Sequence, residues 1–414
     1  MASLRQAMKS GHPPTLFAAF LYFDFCFSVW VLNGAMGPFL TQSFNLTPAQ
    51  TGLMVSIPTL AGALMRFPLG VVSQYIGRKN AAIVEMSLIM VAMLYGYWFV
   101  SSYDDVLAMG VLLGIAGASF GVALSLGAGW FPQEHKGLAM GIAGAGNAGT
   151  VVALLVAPPV AQAYGWHAVY GWTAIVMLIP LLVMVFMAKE PPDLHRQSLW
   201  EHLAPLRELD GWTFSLIYVI TFGGFIGLST FLPSFYYNQF HVSMVEASWL
   251  TMLAAIMGSG IRAVGGYWAD RIGGVAALAI VLLAVIGLLM LLSVEPSLTL
   301  TTVLFMACFA ALGAGNGALF QLVPLRWPTS TAVAGSMIGE LGALGGAILP
   351  NAMGISKQVF GTFAWGFLFY AALSAIVLAG LMYFQRKWTS TWVGPWGRSA
   401  ATVSMAHGQA IAAE

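Results

Sequence analysis

Twelve apolar stretches, each long enough to cross a bilayer as a helix, follow one another along this 414-residue chain with only short polar breaks. A hydrocarbon core ~30 Å thick takes about 20 residues at helical rise, whereas a barrel strand would take only about 10. In lipid every backbone N–H and C=O must be satisfied within the segment, so stretches of this length have one solution, the α-helix. The spans are expected at 15–40, 51–75, 80–101, 105–130, 137–163, 167–188, 211–237, 246–270, 275–294, 298–322, 330–353 and 361–385. Charged residues make up 7% of the chain, against about 25% in soluble domains, so the bilayer itself is the first partner. A net charge of +1 with no basic domain excludes a nucleic-acid partner. Cys26 and Cys308 lie alone in separate apolar stretches, without metal-ligand spacing, and read as buried thiols. No metal or cofactor is expected.

The one extended polar stretch, Lys189 to Leu209, carries Pro191–Pro192 and several charges. It sets the expected organisation: 1–188 as a first six-helix bundle, 189–210 as a cytoplasmic linker, 211–388 as a second bundle, and 389–414 as a loose cytoplasmic tail. No cleavable signal is read ahead of the first span. With the N-terminus cytoplasmic, thirteen of the sixteen Lys and Arg residues fall on the cytoplasmic face, among them Arg5, Lys9, Arg78, Lys79, Lys136, Arg196, Arg271 and Arg326. Only Lys357 falls outside. The positive-inside rule therefore puts both termini in the cytoplasm, with the protein in the cytoplasmic (inner) membrane.

The two cations left over are Arg66, in MRFPLGVVSQYIGRK, and Arg262, in IRAVGGYWADRIGG. An offset of 196 residues carries Arg66 onto Arg262, Gly70 onto Gly266 and Gly77 onto Gly273; it also carries Gly146 onto Gly342 and Gly149 onto Gly345. Each arginine lies 11 residues before the glycine that closes its span, which is about 16 Å of helix, or half the hydrocarbon core. Neither is near enough to an end to snorkel to the interface. An ionisable residue at that depth is costly, and is a functional hypothesis by default. Two at matching depth suggest a clamp for a small anion; the competing reading makes each a structural cation tied to a buried carboxylate.

Helix 5 reads GLAMGIAGAGNAGTVVALL, with Gly144, Gly146 and Gly149, formally a dinucleotide fingerprint. That reading fails because the motif needs a preceding strand, and here it lies within an apolar helix. Small residues instead let helices approach closely in lipid. Helix 11 carries the counterpart GELGALGGAILPNAMG, with Gly342, Gly345 and Gly346. These smooth faces are expected either to slide past helices 8 and 2 during gating or to pack tightly.

Two halves of six helices repeated in parallel, with Gly70-x-x-x-Gln74-x-x-Gly77-Arg78-Lys79 after the second span, resemble the major facilitator architecture. In the second half Gly266-x-x-x-Asp270-Arg271-x-Gly273 keeps the acid that Gln74 replaces in the first. YFDFCFSVWVLNGAMGP, GWFPQEHKGLAMGIAGAGNAG, GNGALFQLVP and GALGGAILPNAMG resemble, more narrowly, the nitrate/nitrite porter family of that superfamily, over essentially all twelve spans. The resemblance implies an all-α membrane protein of twelve transmembrane helices in two pseudo-symmetric halves, acting as a monomer. It implies that Arg66 and Arg262 grip the anion, joined by Asn147 on helix 5, Phe120 on helix 4, and Tyr218 and Phe222 on helix 7.

The chemistry agrees with that implication. Nitrate and nitrite are planar with oxygens at fork spacing, and a guanidinium donates two parallel hydrogen bonds where lysine offers only a point charge. The expected function is alternating-access transport of nitrate, nitrite or both. Rival readings are a carrier of another small anion such as a monocarboxylate, and a membrane anion sensor; an enzyme is not indicated. Of the acids within spans, Asp24 and Glu340 are the proton-coupling candidates, and Glu85 lies near the start of helix 3. An unneutralised pair of arginines implies exchange of one anion for another. A titrating Asp24 or Glu340 near them implies proton symport.

Overall fold

The computed structural model describes residues 10–192, 203–328, 330–389 and 391–398. Arg5, Lys9 and Arg196, used above for orientation, lie outside the described residues, as do residues 193–202 of the expected linker and the end of the expected tail. The described residues form helices and no strand. Among the described residues, eleven helices are long and apolar enough to cross a membrane: α2 (Pro48–Ile76), α3 (Arg78–Trp98), α4 (Tyr103–Ala128), α5 (Ala139–Tyr164), α6 (Trp166–Met187), α7 (Leu209–Phe240), α8 (Met244–Ile272), α9 (Gly274–Leu292), α10 (Leu298–Arg326), α11 (Val333–Phe360) and α12 (Ala364–Thr389). The expected first span is instead built in pieces. Its helix α1 (Pro13–Trp30) is followed by the short helices Leu32–Ala35 and Gly37–Ser43. The last of these starts on Gly37-Pro38, where a proline with no N–H to give begins a helix more readily than it continues one.

Local sequence starts and stops the helices. α2 opens with Pro48 behind a capping box of Thr47 and Gln50, and Ser102 with Asp105 does the same for α4. The α2–α3 and α8–α9 corners turn on Gly77 (φ 89°) and Gly273 (φ 99°), a backbone region that L side chains rarely adopt. The 196-residue repeat thus reappears as repeated turn geometry.

The chain divides into two units, Met1–Leu199 with Ile226–Ile256, and Trp200–Phe225 with Met257–Glu414. The end of α7 and the start of α8 thus pack with the first unit. The physical reason is the glycines after α1: a Cβ on Gly34 would stand 2.5 Å from Thr230 Cα, so backbone meets backbone there. Ser248 donates its hydroxyl to the Ala35 carbonyl at 3.0 Å in the same region. In this unit α2 and α4 also touch closely; a Cβ on Gly62 would lie 3.0 Å from Gly117 Cα. Glu190 caps the start of α3, accepting the N–H groups of Arg78 and Lys79 at 2.9 and 2.8 Å.

The second unit repeats the α2–α4 crossing 196 residues on: a Cβ on Gly313 of α10 would lie 2.0 Å from the Gly258 carbonyl oxygen of α8. Arg326 at the end of α10 pairs with Glu208 and Asp210, and Trp388 donates to Asp210 at 2.7 Å. Residues 391–398 lie against α9: Val393 is buried, and the Trp396 carbonyl fills the space a Cβ on Gly273 would need.

Candidate functional site

In the first unit, α2 carries Arg66 to a place where it is 4% exposed. Its Nε–H donates to the Gly117 carbonyl of α4 at 2.9 Å. This bond exists because α4 has no side chain at 117, which lets a carbonyl within a helix come within reach. The guanidinium carbon lies 5.2 Å from the ring centre of Phe120 and 5.2 Å from that of Trp30. Aromatic faces attract a cation strongly where water is excluded. Trp30 is itself fixed by donating Nε1–H to the Pro58 carbonyl at 2.7 Å. Phe23 packs on Phe120 at 5.4 Å, and Phe27 links Phe23 to Trp30 at 5.5 and 5.3 Å.

The second unit builds a different surround. The first part of α7 runs into a π-helical turn at Val219–Gly223, directly after Tyr218. Such turns release backbone groups from the α pattern and recur at functional sites. Here Tyr370 of α12 donates its hydroxyl to the Val219 and Ile220 carbonyls, both at 3.1 Å. Tyr218 and Phe222 stack with centroids 4.8 Å apart and planes 7° from parallel. Arg262, half-buried, donates from Nη2 to the Tyr218 hydroxyl at 3.4 Å, and its guanidinium carbon lies 5.9 Å from the Phe320 ring. Its Nη1 is buried with no hydrogen-bond partner among the described residues.

The structure therefore brings together Arg66 with Phe120, and Arg262 with Tyr218, which in turn stacks on Phe222. Asn147 is buried, on the 3-10 turn Ala145–Ala148 of α5. The glycines around it meet α1: a Cβ on Gly146 would lie 2.7 Å from the Asp24 nitrogen and one on Gly149 2.0 Å from the Asp24 oxygen. In α11, Gly342 and Gly345 meet α7 in the same way, at the Tyr218 ring (2.3 Å) and the Val219 carbonyl (2.3 Å); Gly223 approaches the nitrogen of Gly346. These glycines seat α5 on α1 and α11 on α7, each inside its own unit, because only a missing Cβ allows a neighbouring backbone or ring so close. Gly144 has merely a loose neighbour in Leu124 at 3.4 Å.

Asp24 is buried on α1 at that seam with α5. Glu340 accepts a hydrogen bond from Ser336, one turn earlier on its own helix, at 3.1 Å. Glu85 accepts one from Tyr22. Trp30 and Phe320, the rings over the two arginines, escape a reading of the sequence. The signal for Trp30 is the spacing of Phe23, Phe27 and Trp30 along one helical face; an α10 register set by Gly313 and Gly317 against α8 would have been needed for Phe320.

With this geometry in hand, residues 18–350 match the sequence profile of the Major Facilitator Superfamily. The chain belongs to that superfamily. This facilitator is accordingly a multi-pass membrane transporter rather than an enzyme. It is 30% identical over 366 residues to a nitrite extrusion protein of Bacillus subtilis, covering 87% of this chain and 92% of that one. It is also 30% identical over 369 residues to a probable nitrate/nitrite antiporter, NarK1, of Thermus thermophilus, with 81% and 83% covered. Among solved structures, a bacterial homolog of the human lysosomal transporter Spinster, in an inward-facing and occupied conformation, superposes with a TM-score of 0.71 at 17% identity. That likeness covers 92% of this facilitator and 98% of that chain, and establishes the fold alone.

Proposed function

We propose that this facilitator carries nitrate and nitrite across the cytoplasmic membrane by exchanging one anion for another, with Arg66 and Arg262 as its anion-binding groups. The observation that carries this reading is the state of Arg262. One edge of its guanidinium leans on the Tyr218 hydroxyl, its face lies toward Phe320, and Nη1 is buried with a proton still to give. Among the described residues no carboxylate pairs with it. A cation in such a setting, at half the depth of the bilayer, is stabilised when an anion joins it and is costly when alone. A planar oxyanion matches the fork of donors better than a spherical halide does. The names of the relatives, a nitrite extrusion protein and a nitrate/nitrite antiporter, support the same substrates. Asn147, Tyr218, Phe120 and Phe222 complete the proposed substrate set, with the aromatics keeping water from the bound ion.

An empty site in which Arg262 has no carboxylate partner among the described residues resists reorientation, and a bound anion relieves it. Exchange follows from that asymmetry without any proton step. The test is counterflow of labelled nitrate or nitrite into proteoliposomes preloaded with either unlabelled anion. Wild type is expected to concentrate label, with nitrate and nitrite displacing each other and monocarboxylates failing to. Arg66→Lys and Arg262→Lys are each expected to lose more than about tenfold in counterflow, since a point charge cannot replace two aligned hydrogen bonds. Folded lysine variants with unchanged half-saturation would remove the arginines from the site.

A further inference from the structure

The two arginine surrounds differ at one repeat-related position, and the difference is an amide. On α4 the ring over Arg66 is Phe120. The residue 196 positions later is Asn316 on α10, while the ring near Arg262 is Phe320, one turn further along. Residues four apart share a helix face, so Asn316 lies on the side of α10 that carries Phe320. Its neighbour Gly317 lies so close to α8 that a Cβ there would stand 2.0 Å from the Arg262 carbonyl oxygen. On the other side Gly315 is pressed against Thr221 in the π-helical turn of α7, where a Cβ would come within 2.6 Å of Thr221 Cγ2. Asn316 is thus held between the two elements that bear Arg262 and Tyr218.

Asn316 is 1% exposed, and neither its Nδ2 nor its Oδ1 has a hydrogen-bond partner among the described residues. A buried amide with all its capacity unused is costly, and native proteins rarely retain one without a role. We propose that Asn316 is a specificity-determining substrate residue, whose Nδ2–H donates to the anion held by Arg262 and favours nitrate over nitrite. The inference rests on the function proposed above. A guanidinium fork engages two oxygens of a planar oxyanion. Bent nitrite has no other oxygen to offer, whereas trigonal nitrate has a third, and an amide donor one turn from Phe320 gives it a partner. A site built around a hydrogen bond discriminates strongly against a ligand that cannot make it.

The experiment is competitive counterflow in wild type, Asn316→Leu, Asn316→Ala and Asn316→Ser, with nitrate and nitrite each titrated against the same label. Leucine keeps nearly the same volume without the amide, alanine removes it without adding bulk, and serine retains a short donor. Half-saturation by nitrate is expected to rise roughly ten- to hundredfold in the leucine and alanine variants, while that of nitrite changes by no more than about threefold and serine recovers part of the preference. If either donorless variant that folds keeps the wild-type nitrate-to-nitrite ratio, the assignment is overturned. The same holds if both affinities fall together, because that marks structural damage rather than lost recognition. Should wild type exchange neither anion, the proposed function fails first and this inference falls with it.

Discussion

Tyr218 is the residue where distance decides between two roles. Its hydroxyl lies 3.4 Å from Arg262 Nη2, at the long limit of a hydrogen bond, while its ring stacks tightly on Phe222. A contact that long contributes little to holding the arginine, so the hydroxyl is free to turn toward an anion. Tyr218→Phe keeps the stack and removes the hydroxyl. If the oxygen serves only Arg262, substrate half-saturation in counterflow should move less than about fivefold; if it donates to the anion, the loss should reach about tenfold or more, the scale of a hydrogen bond to a charged group. The proposed function expects the larger effect. Arg66 differs in kind. Its Nε–H is committed to the Gly117 carbonyl and its faces to Trp30 and Phe120, so it is oriented before any ligand arrives.

Between helices, the seam of α5 with α1 is controlled by the missing side chain at Gly149. A methyl there would meet the Asp24 carbonyl at 2.0 Å, whereas at Gly141 on the same helix it would meet nothing within 4 Å. Gly149→Ala is expected to cost about 1–3 kcal/mol or more through overpacking. Gly141→Ala should be neutral or stabilising by up to about 1 kcal/mol, because alanine favours the helix. Thermal unfolding in detergent separates them; equal melting temperatures would contradict the seam. Tyr370 tests the π-helical turn of α7. Tyr370→Phe leaves the Val219 and Ile220 carbonyls without their shared donor, which should lower stability by about 1–3 kcal/mol. Since Tyr218 adjoins that turn, the same variant should weaken anion half-saturation, and an unchanged value with lowered stability would confine the turn to a structural role.

For the whole molecule, the question is what drives the cycle. Asp24 is buried at the α1–α5 seam, with Ser28 donating to its backbone carbonyl at 2.9 Å. Exchange predicts that a pH gradient alone, acid outside, drives no net nitrate uptake into empty proteoliposomes. It also predicts that Asp24→Asn retains counterflow within a few-fold of wild type. Gradient-driven uptake that disappears in Asp24→Asn would convert the mechanism to proton symport with Asp24 as the carrier of the proton. The repeat bears on the same point. The two halves share turns at Gly77 and Gly273 and crossings at Gly62–Gly117 and Gly258–Gly313, yet the polar groups at corresponding depths differ. Tyr22 serves the buried Glu85, whereas Tyr218, 196 residues later, serves Arg262.

The helical class, the approximate span limits and the two arginines were all legible in the chain. Lipid leaves the backbone one way to satisfy itself, and an intramembrane cation needs a reason to be there. The 196-residue register was legible too, since glycines at corners and crossings cannot drift without breaking them. What only the tertiary structure decided was which neighbour each residue meets. Trp30 joins Phe120 over Arg66, Phe320 flanks Arg262, the glycine runs of α5 and α11 seat on α1 and α7, and Ile226–Ile256 packs with the first unit. Those outcomes depend on how far each helix is rotated and where it crosses its partner. Rotation and crossing are set by side chains dozens of residues apart in sequence, so hydropathy, which records only depth in the membrane, carries no trace of them.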